Sequence, residues 1–183
     1  MVTVGSEVYV NTFSSGGELL WIFKTGCGYI SSMSWTIDSS RLAVASEKVY
    51  VISPKGEEIW SYEMKGAVCV AWSPDGSKLA VGGQEDRKVF IFSADGELLW
   101  SYKTEDWVWF IDWNPQSFKI AAVSSNKVYV LTPEGELAWS FEGRDRIRRA
   151  KECLNRSDAY MLCEARAWRA LFFVLRNMFD DFN

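Results

Sequence analysis

The segment Gly-Glu-x-x-Trp recurs at Gly17, Gly56, Gly96 and Gly135, at intervals of 39, 40 and 39 residues. This period constrains the fold more tightly than any other feature, because units of this length cannot each bury an apolar face alone and must stack on their neighbours. A second register runs in step with the first. Trp35, Trp72 and Trp113 each open a turn, and Val49-Tyr50-Val51, Val89-Phe90-Ile91 and Val128-Tyr129-Val130 each precede the next Gly-Glu. The repeated tryptophans thus form two columns, Trp21, Trp60, Trp100 and Trp139 in one and Trp35, Trp72 and Trp113 in the other.

Each repeat holds four short runs of strand character. In the best-formed copy they are Ala67 to Trp72, Lys78 to Gly82, Lys88 to Phe92 and Glu97 to Tyr102. Ser73-Pro74-Asp75-Gly76 and Ser93-Ala94-Asp95-Gly96 suit tight turns, since Pro fixes φ and Gly tolerates positive φ, and the polar stretch Gly83 to Arg87 supplies the remaining connection. Short β-branched and aromatic runs, broken by turn signals about every ten residues, predict antiparallel sheet. Four strands in about 40 residues make one blade of a β-propeller.

The run Val70-Ala71-Trp72-Ser73-Pro74-Asp75-Gly76-Ser77-Lys78-Leu79-Ala80-Val81 resembles the inner half of a WD40-type repeat. Lys127-Val128-Tyr129-Val130-Leu131-Thr132-Pro133-Glu134-Gly135-Glu136-Leu137-Ala138-Trp139 resembles the outer half of a quinoprotein-type (PQQ-like) repeat. The resemblance covers residues 1–142 and is specific for fold rather than function. The chain has no histidine, so the Gly-His element and the histidine-containing hydrogen-bond tetrad of typical WD40 blades are excluded. The resemblance to the quinoprotein-type repeat implies that Trp21, Trp60, Trp100 and Trp139 dock between neighbouring blades instead. Quinoprotein enzymes hold their cofactor and a calcium ion in a complete ring, through acidic and basic residues near the axis. This sequence shows the repeat without that constellation, so no cofactor is expected.

The expected fold class is mostly β, a partial propeller of about four four-stranded antiparallel blades with a C-terminal α-helical hairpin. Residues 1–25 supply three strands of a first blade, Val2 to Val4, Glu7 to Thr12 and Glu18 to Phe23, and lack the innermost one. Residues 26–65, 66–104 and 105–142 supply complete blades. A small ring with a gap, an open fan, a ring of about eight blades completed by a second copy, and a piece of a longer propeller all fit this count. From residue 143 the pattern changes. Arg144 to Leu154 and Asp158 to Phe179 take helical spacing, with Ser157 placed as an N-cap. Met161, Ala165, Trp168, Phe172, Leu175 and Phe179 form one apolar stripe. Burial of that stripe against the first helix and a propeller edge, homodimerisation through Met161, Trp168, Phe172, Leu175 and Phe179, and docking to another protein are the readings it supports. The basic cluster Arg144, Arg146, Arg148, Arg149 and Lys151 adds membrane-surface association, although a basic run beside a helix is more often a solvated face.

A hydrophobic content of 48% and ten tryptophans are enough to fill a core in 183 residues. The net charge of −4 argues against nucleic acid or acidic membranes as general partners. No apolar run is long enough to span a bilayer, and Met1-Val2-Thr3-Val4-Gly5 lacks the basic-then-apolar order of a secretory signal. A cytoplasmic location is expected, with any segment upstream of the sequence left open. Cys27, Cys69, Cys153 and Cys163 form no Cys-x-x-Cys pair, so no metal site is expected, and an even cysteine count alone is a weak argument for a disulfide.

Catalysis has little support without histidine, a Gly-rich phosphate loop or a Gly-x-Ser-x-Gly elbow. Asp38, Asp75 and Asp95 sit where turns want an aspartate. Asp112 stands out because the matching positions are Ser34 and Ala71, and a side chain hydrogen-bonded within its own blade accounts for it. The loops from outer strand to next inner strand bring Tyr29, Glu105, Asp106 and Trp107 to one end of the blades. The loops from second to third strand bring Glu47, Lys48, Gln84, Glu85, Asp86 and Arg87 to the same end. Trp107 aligns with Tyr29 and Gly66, and Trp109 with Ser31 and Val68. Aromatics among carboxylates suit a protein or peptide ligand, whereas packing of Trp109 and Phe110 within the inner strand would leave Trp107 alone at the surface. The function expected is a non-catalytic protein-interaction or assembly module. A cofactor-binding or quinoprotein-like enzyme completed by self-association, and a degenerate propeller fragment without independent function, are the alternatives.

Overall fold

Fifteen strands in four antiparallel sheets account for the described residues of the computed structural model, which are 1–26, 28–116 and 118–142. The helical hairpin expected over 143–183 lies outside them. Among the described residues no helix is long and apolar enough to cross a membrane. The first sheet has three strands, β1 (Val2–Ser6), β2 (Tyr9–Phe13) and β3 (Leu19–Lys24), in the order β1-β2-β3. The second holds β4 (Ser32–Trp35), β5 (Leu42–Ala45), β6 (Val49–Ile52) and β7 (Glu58–Tyr62). The third holds β8 (Ala67–Trp72), β9 (Lys78–Gly83), β10 (Lys88–Ser93) and β11 (Leu98–Lys103). The fourth holds β12 (Val108–Trp113), β13 (Ile120–Ser124), β14 (Lys127–Leu131) and β15 (Leu137–Glu142). Every sheet is a meander in chain order, with strands joined by short connections.

The turns form where their side chains can satisfy the chain's polar groups. At Ser73 to Lys78, the Gly76 N–H donates to the Ser73 carbonyl at 2.9 Å with Gly76 at φ +70°. The Asp75 carboxylate accepts from the Ser73 hydroxyl at 2.6 Å and the Ser77 N–H at 3.1 Å. The Ser73 hydrogen bond, aided by Ser77, holds the Asp75 carboxyl below its usual range. Asp38 is held down to about 2 in the corresponding turn by Thr36 and Ser40. Asp95 instead pairs with Arg41 at 3.1 Å, linking the third sheet to the second.

Three apolar cores lie between successive sheets. Val10, Leu42, Val44, Tyr50 and Ile52 bury between the first and second, and Ala43, Val49, Val51, Val70, Trp72, Leu79 and Phe92 between the second and third. Cys69, Ala71, Val89, Ile91, Ile111, Trp113, Ile120 and Leu131 bury between the third and fourth. The two tryptophan columns lace these cores. In the outer column the indole N–H crosses to the next sheet, Trp21 to the Pro54 carbonyl at 2.8 Å, Trp60 to Ala94 at 2.9 Å and Trp100 to Pro133 at 3.0 Å. The ring lies against the glycine of the next Gly-Glu. A Cβ at Gly56, Gly96 or Gly135 would stand 2.8, 2.8 or 2.7 Å from Trp21, Trp60 or Trp100, and all three glycines hold positive φ of +85°, +92° and +94°. In the inner column Trp72 donates to the Ser34 carbonyl at 3.1 Å and Trp113 to Ala71 at 3.0 Å. Trp35 donates to the hydroxyl of Thr3, also at 3.1 Å.

Asp112 lies on β12 between Ile111 and Trp113, half-buried, and accepts the Trp113 N–H at 2.8 Å. Burial pushes its carboxyl above the usual range, and the Trp113 N–H offsets this in part. Because the folded state favours the protonated form, the ionised side chain costs stability at neutral pH, and that cost vanishes as pH falls through the folded-state pKa.

Three outcomes follow. In urea denaturation of the full chain, Trp100→Phe costs about 1 kcal/mol for the lost Pro133 hydrogen bond, and Trp100→Ala costs about 3 kcal/mol, low for a tryptophan because the ring is half-buried. Gly135→Ala is destabilising in the native chain and less so where Trp100 is already Ala, since the ring it strikes is gone. Asp112→Asn raises the melting temperature at pH 7, and the gain over the native chain disappears below about pH 4, where the carboxyl is protonated in both states.

Candidate functional site

Strand direction decides which loops share an end. Inner strands begin, second strands end, third strands begin and outer strands end on the same side of each sheet. Each loop entering an inner strand is therefore bonded to the second-to-third-strand turns of both sheets it joins. At residues 63–67, Ala67 N–H donates to the Ser46 carbonyl at 2.8 Å on one side. On the other side Gln84 N–H donates to the Gly66 carbonyl at 2.9 Å and Lys65 N–H to the Asp86 carboxylate at 3.1 Å. The loop at 104–107 repeats the pattern. The Thr104 N–H and hydroxyl both donate to the Arg87 carbonyl at 2.9 Å, and Lys103 Nζ donates to the Asp86 carbonyl at 2.9 Å. Toward the fourth sheet, Asp106 N–H donates to Ser124 Oγ at 3.1 Å and the Ser124 hydroxyl returns a bond to the Asp106 carbonyl at 2.7 Å.

This lacing ties the Asp86-Arg87 turn to Lys103 and Thr104, at the start of the loop that carries Glu105, Asp106 and Trp107. Arg87 holds φ at +50°, and Glu85 and Arg87 are exposed. Glu105 pairs with Lys127 at 2.6 Å, and the Asp106 carboxylate accepts the Trp107 N–H at 2.8 Å. Trp107 is half-buried, and its ring centroid lies 5.0 Å from that of Trp109, tilted by 43°. Trp109 is 36% exposed while Val108 beside it is fully buried. The cause is a β-bulge, for Val108 pairs with Ser124 and Phe110 with Val123, which leaves Trp109 as the extra residue of β12. Val68 is the extra residue of the matching bulge in β8, between Ala67 and Cys69.

Tyr29 is 77% exposed on the loop between the first and second sheets and makes no hydrogen bond or ring contact with the tryptophan pair. In the second sheet Glu47 accepts from the hydroxyls of Tyr50 and Ser46, both at 2.8 Å, and Lys48 pairs with Glu63 at 3.0 Å while lying over the Tyr50 ring. The contact with Glu63 raises the Lys48 pKa. Lys127 lies over Tyr129 in the same way, so a Lys-x-Tyr column supports the loop end in two sheets. Sequence reasoning missed a shallow cleft of about 330 Å³ lined by Tyr62, Met64, Lys65, Asp86, Lys88 and Phe90, which shares only Asp86 with the expected set. It also missed the bulges, which follow from strand register.

Among the described residues no three His, Cys, Asp or Glu side chains group as metal ligands. Cys69 is buried, its thiol 3.5 Å from the Val108 carbonyl, and burial pushes its pKa up to about 12, so it behaves as a small apolar side chain. The self-association candidates Met161, Trp168, Phe172, Leu175 and Phe179 lie outside the described residues.

Residues 41–116, from the turn before β5 to the turn after β12, match the family model of the anaphase-promoting complex subunit 4 WD40 domain. No curated protein matches the chain in sequence. Among solved structures, Sqt1 of Chaetomium thermophilum bound to the N-terminus of the ribosomal protein L10 is similar, with a TM-score of 0.68 and 20% identity, over 77% of this chain and 45% of Sqt1. Sqt1 of the same organism in a second structure gives a TM-score of 0.69 and 19% identity, over 77% of this chain and 42% of Sqt1. The chain thus spans less than half the length of either. The meandering sheets, the stacked cores and these likenesses give the described residues the fold of a partial, WD40-like β-propeller.

Proposed function

We propose that the chain is a non-catalytic protein-interaction module that receives a cationic, extended peptide segment at the loop end around Trp107 and Trp109. The observation that carries this reading is the exposed indole of Trp109, tilted against Trp107 with centroids 5.0 Å apart and raised on a bulge that follows the loop bearing Glu105 and Asp106. A ring pair next in the chain to Glu105 and Asp106 suits an arginine or lysine side chain, which gains cation–π contact and charge complementarity together. The laced loops hold the pair in place, so little ordering accompanies binding. Sqt1, similar in fold, is seen bound to the N-terminus of the ribosomal protein L10, which supports a peptide as the kind of ligand. Self-association through Met161, Trp168, Phe172, Leu175 and Phe179 is the assembly part of the same proposal.

Selection of random peptides displayed on phage against the immobilised full chain tests the reading. Enriched peptides carry Arg or Lys, and Trp109→Ala weakens them by about thirtyfold, as expected of an aromatic hot spot worth about 2 kcal/mol. Peptides that bind Trp107→Ala and Trp109→Ala as well as the native chain would overturn it.

A further inference from the structure

The junction between the second and third sheets departs from the two that flank it, and every strand on both of its sides is described. At the flanking junctions three hydroxyls knit the connecting loop to its surroundings. Thr25 and Thr104, four residues after Trp21 and Trp100, donate to the carbonyls of Val8 and Arg87 at 3.1 and 2.9 Å. Tyr50 and Tyr129 accept the loop N–H groups of Gly26 and Glu105 at 2.9 and 3.4 Å. Ser46 and Ser124 donate to the loop carbonyls of Gly28 and Asp106 at 3.4 and 2.7 Å. The strand registers put Phe90 where Tyr50 and Tyr129 stand, and Gly83 where Ser46 and Ser124 stand. Met64 follows Trp60 by the same four residues as the threonines follow their tryptophans. The middle junction thus lacks all three hydroxyls.

The shallow cleft of about 330 Å³ opens at this place, and Met64 and Phe90 both line it. Its rings are spread, with the centroids of Tyr62 and Phe90 6.4 Å apart, against 5.5 Å for Phe23 and Tyr50 and 5.9 Å for Tyr102 and Tyr129 at the flanking junctions. A Cβ at Gly83 would press on both Met64 and Phe90, at 3.2 Å from each. The charges around the cleft are unequally matched. The Asp86 carboxylate accepts the Lys65 N–H at 3.1 Å, and Glu63 pairs with Lys48. Among the described residues neither Lys65 nor Lys88 makes an ion pair, whereas Lys48 and Lys127, the counterparts of Lys88, both do. The residue across the ladder from Lys88 is a second cation, Lys103.

We infer that this cleft receives the C-terminal residue of a partner protein, its apolar side chain on Tyr62, Met64 and Phe90 and its carboxylate on Lys65 and Lys88. The volume is at the small end for ligand sites, room for a residue rather than a strand. Lys88 Nζ lies 5.9 Å from the centroid of the Phe90 ring, so a carboxylate that meets it has to be joined to the apolar group within one residue. A terminal residue satisfies this, because its carboxylate and side chain share one Cα. In an extended internal segment an Asp or Glu points away from the side to which its apolar neighbour points. Two ammonium groups without carboxylate partners match two carboxylate oxygens, and charge strengthens both hydrogen bonds. The site shares no residue with the Trp107 and Trp109 pair and does not rest on the reading given for it.

The test is NMR of the full chain, labelled at methionine methyls and backbone amides, titrated with acetylated Gly-Ser-Gly-Ser peptides that end in Leu, Ile, Phe or Met. The expected result is a saturable shift of the Met64 methyl and of the Lys65 and Asp86 amides with at least one peptide. Capping that peptide as its C-terminal amide weakens it about tenfold, and Lys65→Gln with Lys88→Gln does the same to the free acid. Met64→Thr, Gly83→Ser and Phe90→Tyr together restore the hydroxyls of the flanking junctions and abolish the amide shifts, while Trp109→Ala leaves them unchanged. Absence of a saturable shift with all four peptides would overturn the inference, as would equal affinity of the amide or of the lysine variant. An amide-capped peptide with Asp before its last residue that binds as well as the free acid would assign the cleft to an acidic segment. Loss of the shifts in Trp109→Ala would place the peptide at the loop end. Either of these also overturns it.

Discussion

The contact on which the described architecture depends is an indole ring laid on a glycine of the next repeat. Trp21, Trp60 and Trp100 each cover the glycine that begins the next Gly-Glu and donate to a carbonyl in the same turn. The repeated segment is therefore half of each of two contacts. Its tryptophan reaches forward and its glycine receives from behind. A side chain at the glycine would strike the ring, and any ring smaller than indole would lose either the area or the hydrogen bond. The inner tryptophans do the same work nearer the axis, where Trp72 and Trp113 close on backbone carbonyls of the preceding inner strand. With two indoles per junction, each sheet is fixed at its inner and outer margins, and the aliphatic cores between them pack without needing the histidine tetrad that this sequence lacks.

Much of this was legible because the repeat registers what packing demands. The strand runs read from the third copy, Ala67 to Trp72 and Lys78 to Gly82, match β8 and β9 to within a residue, since alternating burial leaves a two-residue pattern that turn residues bound clearly. The three strands of the first sheet were legible for the same reason. Bulges were not. Trp109 and Val68 occupy extra positions that depend on how two strands slide past each other, and no residue type marks them. Thr3 and Thr12 were visible as residues and silent as a pair, because their meaning appears only when cross-strand registers align them with Ala43 and Val51.

The loop end gains order from its own polar groups. Connections between sheets are usually the mobile part of a repeat protein, yet Thr104, Asp106 and Lys65 are each bonded to turns on adjoining sheets. Part of the local charge is consumed in this way, with Glu105 held by Lys127 and Asp106 by the Trp107 N–H. Exposed ion pairs of this kind add little to stability. Their effect is to fix where the carboxylates stand, so the surface around Trp107 and Trp109 is shaped before any ligand arrives.

Departures from the repeat are not spread evenly along the chain. The inter-sheet columns of the second and third sheets are almost uniform, with small or aliphatic residues at Ala43, Ala80, Val51 and Ile91. The polar and aromatic exceptions fall in the first and last sheets, as Thr3 and Thr12 on β1 and β2 and as Trp107, Trp109 and Asp112 on and just before β12. Stability alone would favour the consensus residue at each of these positions, as the raised pKa of half-buried Asp112 illustrates. A sequence that keeps these columns in its middle and breaks them at two defined places concentrates polar and aromatic chemistry there. In a stack of near-identical sheets, position along the stack is thus what distinguishes one surface from another, and the first and last of the described sheets are where polar and aromatic side chains set this chain apart from its own repeat.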